Sequence, residues 1–132
     1  MVVTQYGRVI KTLGLLDNVL ELTQLQHDPL IDSAHIHEGE EWVRVLRWSE
    51  RGQPLSIELF STFTRGNDEV LTVLGRRITC QVWYEHVKAN EPSTSWENTF
   101  WVEVGSGRVR KSRQMIAPHS PFVELTILKP AL

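Results

Sequence analysis

Two β-patterned runs joined by a glycine turn, with a third after a proline break, most constrain what this chain can fold into. From Trp96 to Val104, residues Trp96, Asn98, Phe100, Val102 and Val104 fall on one face while Thr99, Trp101 and Glu103 fall on the other. That is the period of two imposed by a pleated strand. Gly105-Ser106-Gly107 supplies the backbone freedom for a tight reversal, and Arg108 to Ile116 returns as the partner strand. Pro118 and Pro121 bracket a further turn, after which Val123, Leu125 and Ile127 alternate in a final strand.

The same reading extends upstream. Val2 to Leu13 reads as one strand bent at Gly7 and ended at Gly14. Asp17 ahead of Val19, Leu20, Leu22 and Thr23 predicts a short amphipathic helix with Asp17 as its N-cap. Asp28-Pro29 begins a turn, and Glu41 to Glu50 is a strand with Trp42, Arg44, Leu46 and Trp48 on one side. Arg51-Gly52-Gln53-Pro54 links it to a strand from Leu55 to Arg65, and Gly66-Asn67-Asp68 predicts a turn into Glu69 to Leu74. Gly75-Arg76 leads into Arg77 to Lys88, where Ile78, Cys80, Val82, Tyr84 and His86 oppose Thr79, Gln81, Trp83 and Glu85. Glu91 to Ser95 reads as a loop. The expectation is an all-β, mainly antiparallel chain: a strongly curved half-barrel or barrel-like meander of about 7–8 strands with one short helix near the N-terminus.

A chain of 132 residues with 41% hydrophobic and 23% charged residues has the composition of one folded domain spanning 1–132. A net charge of −2 and a pI near 6.2 argue against nucleic acid as the main partner. The single cysteine, Cys80, excludes an intrachain disulfide and a thiolate metal cluster. Met1-Val2-Val3-Thr4-Gln5 lacks the charged start and apolar stretch of a signal peptide, so no targeting signal is read in this chain.

Candidate chemistry is sparse. His35 and His37 share a side of an extended segment near Glu38, Glu40 and Glu41, but no third ligand is evident, and no metal or cofactor is assigned. Cys80 reads as a small buried hydrophobe, since His86 on the same face lies about 20 Å along the strand. No phosphate loop or nucleophile elbow is present, and no catalytic residue is assigned. The tryptophans Trp42, Trp48, Trp83, Trp96 and Trp101 suit core packing first, with a protein interface or a glycan contact as the other uses. Trp101, opposite the Phe100 face, would be exposed unless something covers it. Together with Arg108, Arg110 and Arg113 it forms the candidate contact set for a partner or an anionic polysaccharide, although the basic run also suffices as edge-strand protection.

With these residues in view, the chain resembles the YjbF/YmcC family, the GfcB-like group 4 capsule polysaccharide lipoproteins. The resemblance is carried by Gly7-Arg8-Val9-Ile10-Lys11-Thr12, Asp28-Pro29-Leu30, Trp48-Ser49-Glu50, Leu74-Gly75-Arg76 and Val82-Trp83. It continues through Asn98-Thr99-Phe100-Trp101-Val102, Gly107-Arg108-Val109-Arg110 and Ser112-Arg113-Gln114 to Leu128-Lys129-Pro130. Family members resemble outer-membrane lipoproteins with a signal peptide, a lipidated cysteine and further N-terminal strands, none of which is read here. The chain is therefore expected to be the C-terminal two thirds of such a protein, a truncated piece or a shortened gene model. An exposed first-strand edge would then invite a partner or a homo-oligomer.

The resemblance implies a non-enzymatic, periplasm-facing accessory protein of capsule or exopolysaccharide production and export, attached to the outer membrane only through a lipid anchor absent from this chain. Other polysaccharide export proteins are the implied partners. One alternative is a small lipid or hydrophobic-ligand carrier using the concave face of the sheet, which a tightly filled interior would remove. A second is a glycan-acting enzyme, which needs two carboxylates facing one cleft, with Glu58, Glu85 and Glu103 as candidates.

Overall fold

The computed structural model describes residues 1–128. Lys129 and Pro130, the end of the last family-like stretch, lie outside the described residues. Seven strands form one antiparallel sheet in strict chain order: β3 (Asp17–Leu22), β4 (Glu41–Glu50), β5 (Gln53–Val73), β6 (Arg76–Asn90), β7 (Ser93–Glu103), β8 (Val109–Met115) and β9 (Phe122–Thr126). A separate hairpin, β1 (Val2–Gln5) and β2 (Arg8–Thr12), packs against the concave side of this curled sheet. The curved, antiparallel meander expected from the alternation is what forms.

Tight turns explain the strict order. Arg51-Gly52 joins β4 to β5 and Leu74-Gly75 joins β5 to β6, with positive φ at both central residues of each. Such two-residue turns match the twist of the strands they connect, and the glycine takes the second left-handed position without a Cβ clash. In the β7–β8 turn only Gly107 has a positive φ, at 69°, so Gly105 is not used as expected there.

Four local readings are corrected. Val2 to Leu13 is not one bent strand but a hairpin that reverses at Tyr6-Gly7. Asp17 to Leu22 is edge strand β3 and not a helix: Asp17 pairs with Glu50 and Leu22 with Leu46. This six-residue segment gains a ladder from β4, interrupted only by a bulge at Leu20, which outweighs weak helical spacing. The short helix lies just beyond it, as 3-10 turns at Leu25–His27 and Pro29–His35, with the Asp28 carboxylate accepting from Leu30 N–H at 3.0 Å. Gly66-Asn67-Asp68 makes no turn, because β5 runs on through a β-bulge between Arg65, opposite Trp83, and Asp68, opposite Gln81. Finally, β7 begins at Ser93, within the segment read as a loop.

The core divides in two on the concave face. One part joins Val9, Val19, Leu46, Trp48, Ile57, Leu59 and Val87; the other joins Leu30, Ile36, Phe63, Trp83, Phe100 and Val109. On the opposite face a small cluster of Val73, Ile78 and Cys80 is covered by Leu71 and Trp101. β6 therefore buries even-numbered residues near its start and odd-numbered ones from Trp83 onward. Among the described residues β1 pairs only with β2, and β9 only with β8, so each presents an unpaired edge.

Candidate functional site

Between the two apolar halves runs a belt of polar side chains, one from each neighbouring strand. Arg44 lies between Trp42 and Leu46 on β4, Ser61 between Leu59 and Phe63 on β5, Glu85 between Trp83 and Val87 on β6, and Asn98 between Trp96 and Phe100 on β7. All four are buried. Cross-strand register sets Glu85 directly opposite Asn98, while Ser61 pairs with Trp42 and Val87 and Arg44 with Leu59, so the belt crosses the sheet on a stagger.

Arg8 on β2 closes the belt from above. Its guanidinium grips Asp28 bidentately, Nε to Oδ2 at 3.0 Å and Nη2 to Oδ1 at 3.1 Å, and donates from Nη1 to Glu85 Oε1 at 2.5 Å. The Arg44 guanidinium donates to Ser61 Oγ and lies 3.5 Å from Glu85 Oε2. Asn98 Nδ2 donates to Glu85 Oε1 at 2.9 Å, while its Oδ1 accepts from Met115 N–H at 2.9 Å. Trp42 stacks beneath both arginines, 4.6 Å from Arg8 and 4.3 Å from Arg44, and Phe100 lies 5.0 Å from Arg8. Gln114 completes the closure, donating to Gly7 C=O at 2.8 Å and accepting from Val9 N–H at 3.1 Å.

Two guanidiniums and two carboxylates leave the cluster neutral. Burial alone would raise the Glu85 pKa, but Arg8 and Arg44 outweigh it and hold the carboxyl at about 2. Burial likewise works against a charged Arg8, yet Asp28 and Glu85 raise its pKa above the ordinary value. For Arg44 burial prevails, lowering it to about 10, because its carboxylate partner is shared with Arg8. Arg8, Arg44 and Glu85 are therefore charged at neutral pH. A carboxylate so held cannot deliver a proton there.

The three carboxylates considered for glycan hydrolysis do not converge. Glu58 is exposed, Glu85 is sealed in the belt, and Glu103 lies on the other face against Arg110. The concave face is also full: its cavity measures about 20 Å³, lined by Arg8, Arg44, Asn98 and Gln114 among others. That is room for a single water molecule, and a lipid has no cleft there.

Of the expected contact residues, Trp101 is half-buried, packed on the Cys80 cluster with Lys111 Nζ 4.7 Å from its ring. Arg110 is buried and committed to Glu103 at 2.9 Å and to the Ile127 carbonyl at 3.2 Å. Arg113 is exposed and stacks on Phe122 at 3.7 Å. Arg108 is exposed in the β7–β8 turn. The four are thus not gathered into one patch. Cys80 is buried, and burial pushes its thiol up to about 11. His35 is bonded to Asp32 at 2.8 Å, which raises its pKa, and no metal-ligating group of three is found among the described residues.

The belt itself escaped sequence reasoning. Its signal was a lone polar residue inside each inward-facing apolar row: Arg44, Glu85 and Asn98. Arg8, Asp28, Asn98 and Gln114 also stand within stretches that carry the family resemblance.

Fold and site together define an antiparallel half-barrel sealed by a buried, charge-balanced belt. The chain belongs to the family described as group 4 capsule polysaccharide lipoprotein gfcB, YjbF, whose model matches residues 1–128. It is 44% identical over 131 residues to the uncharacterized lipoprotein GfcB of Escherichia coli (strain K12), covering 99% of this chain and 61% of that protein. To the uncharacterized lipoprotein YjbF of the same organism it is 32% identical, covering 98% and 59%. The crystal structure of the hypothetical lipoprotein YmcC from Escherichia coli (K12) superposes with a TM-score of 0.94 at 43% identity, covering 99% of this chain and 67% of that one. The chain thus spans about three fifths of the two lipoproteins' lengths, somewhat under the two thirds expected.

Proposed function

We propose that this chain is a non-enzymatic accessory domain of capsule or exopolysaccharide production and export, working in the cell envelope on the periplasmic side. The observation that carries this reading is the paired, neutral belt that fills the concave face, in a chain of the group 4 capsule polysaccharide lipoprotein family. Inward-facing carboxylates that are salt-bridged to buried guanidiniums support a structural role for them and not acid–base catalysis. Membrane attachment through a lipid anchor on the complete protein accords with the lipoprotein names of the relatives. Other export proteins are the partners that fit, meeting the outer surface and the unpaired strand edges. Deleting the coding gene tests this: surface polysaccharide should fall and recover on complementation, whereas an unchanged amount and chain length would overturn the reading.

A further inference from the structure

A second cavity, of about 710 Å³, opens on the outer rim where three elements meet: the β1–β2 turn, the 3-10 segment Pro29–His35 and the β7–β8 turn. Its size falls within the range of about 300–1,000 Å³ usual for small-molecule sites. Tyr6 stands on its wall, 56% exposed and held at a left-handed φ of 51° by the reversal at Tyr6-Gly7. Gln5, Asp32, Ser106 and Arg108 supply polar groups around it. Arg108 has no acidic partner within ion-pair distance among the described residues.

The walls are tied together before any ligand arrives. Ser33 Oγ donates to the Gly107 carbonyl at 2.7 Å, fastening the 3-10 segment to the β7–β8 turn. Gln114 Nε2 donates to the Gly7 carbonyl at 2.8 Å, and Arg8, two residues after Tyr6, is locked in the belt. Pre-ordering of this kind lowers the entropy cost of binding.

We propose that this cleft binds an acidic saccharide, with Tyr6 as the stacking face and Arg108 as the partner of the sugar's carboxylate. A pyranose has an apolar C–H face and a rim of hydroxyls. A rigid aromatic ring takes the first, and the Gln5 amide and the Asp32 carboxylate offer donors and acceptors for the second. An unpaired guanidinium at the edge favours a planar carboxylate, which it grips with two parallel hydrogen bonds. The inference deepens the polysaccharide reading above and rests on it for the choice of sugar over other anions.

The test is an NMR titration of the 15N-labelled chain with trigalacturonate, a glucuronate-containing tetrasaccharide and a sialic acid trimer, against maltotriose as the neutral control. At least one acidic probe should shift the amides around Tyr6, Asp32 and Arg108 and bind at least about tenfold tighter than maltotriose. Arg108→Ala and Tyr6→Phe should respectively lose and retain that binding, Tyr6→Ala should lose it, and Trp101→Ala should not change it. Thermal midpoints checked alongside exclude unfolding as the cause. No binding by any acidic probe, equal binding of maltotriose, or binding insensitive to both Arg108→Ala and Tyr6→Ala overturns the proposal. Cleft binding with normal polysaccharide in the deletion strain would sink the accessory reading and spare the cleft; a polysaccharide defect fully rescued by Arg108→Ala and Tyr6→Ala would do the reverse.

Discussion

Replacing Glu85 with glutamine keeps the shape of a side chain that is 0% exposed, removes its charge and turns one acceptor oxygen into an NH2 donor. Arg8, 2.5 Å away, retains Asp28, but Arg44, at 3.5 Å, is left without a carboxylate in an apolar surround. Removing one partner of a buried pair costs about 3–5 kcal/mol. A second route agrees in size: a carboxyl held at about 2 against an ordinary 4.5 corresponds to about 3 kcal/mol of stability at neutral pH. For a chain of this length that is a fall in Tm on the order of 10–20 °C. Urea unfolding followed by tryptophan fluorescence at pH 7 measures it, and a loss below about 1 kcal/mol would refute the assignment of Glu85 as the shared counter-ion. The sign with pH follows from the depressed value. The contribution is complete above about 4.5 and is lost as pH falls towards about 2, so wild type and Glu85→Gln should converge in stability across that window. The arginines should differ as well. Arg8→Met leaves Asp28 without a cation and Glu85 with Arg44 alone and should cost at least as much as Glu85→Gln, whereas Arg44→Met leaves Glu85 its bond to Arg8 and removes a group disfavoured by burial, so it should cost less than Glu85→Gln.

Two further outcomes follow from packing. A Cβ added at Gly66 would sit 2.6 Å from Tyr84 Cε2, so Gly66→Ala should cost about 1–3 kcal/mol, and Tyr84→Ala in that background should return most of it; strict additivity in the double-mutant cycle would show that the ring is not the obstacle. The Cys80 thiol, buried and raised to about 11, should resist a disulfide-exchange reagent at pH 8 until urea unfolds the chain, and labelling of native protein at the unfolded rate would contradict its placement.

Period-two alternation was sufficient to find β4, β7, β8 and β9 and their order, because each pairs with its chain neighbour and buries one face. It misled where a strand is supported from outside its own sequence. β3 is too short and weakly patterned to be read without β4 beside it, and Gly66-Asn67 resembles a turn until Tyr84 is seen lying over the bulge. The belt was visible only as isolated polar residues within apolar rows. Its meaning needs Arg8 and Asp28, 77 and 57 positions before Glu85, brought over the sheet by the hairpin and the 3-10 segment. The rim cleft was likewise hidden, since Tyr6, Asp32 and Arg108 come from three distant segments.

The belt also explains why a costly polar interior can persist where an apolar one would pack. The β1–β2 hairpin forms no ladder with the large sheet, so apolar contact through Val9 alone would let it slide or tilt. Directional bonds from Arg8 to Asp28 and Glu85, and from Gln114 to Gly7 and Val9, allow one seating. That seating also places Tyr6 across from Arg108. If orientation is what the belt supplies, a joint replacement of Arg8, Asp28, Arg44 and Glu85 by apolar residues of matching size, which leaves no buried charge unpaired, should keep or raise global stability while loosening the hairpin. Amide exchange at Thr4 to Val9 should then quicken and saccharide binding weaken together; unchanged exchange in that variant would mean that the ionic bonds of the belt do not seat the hairpin.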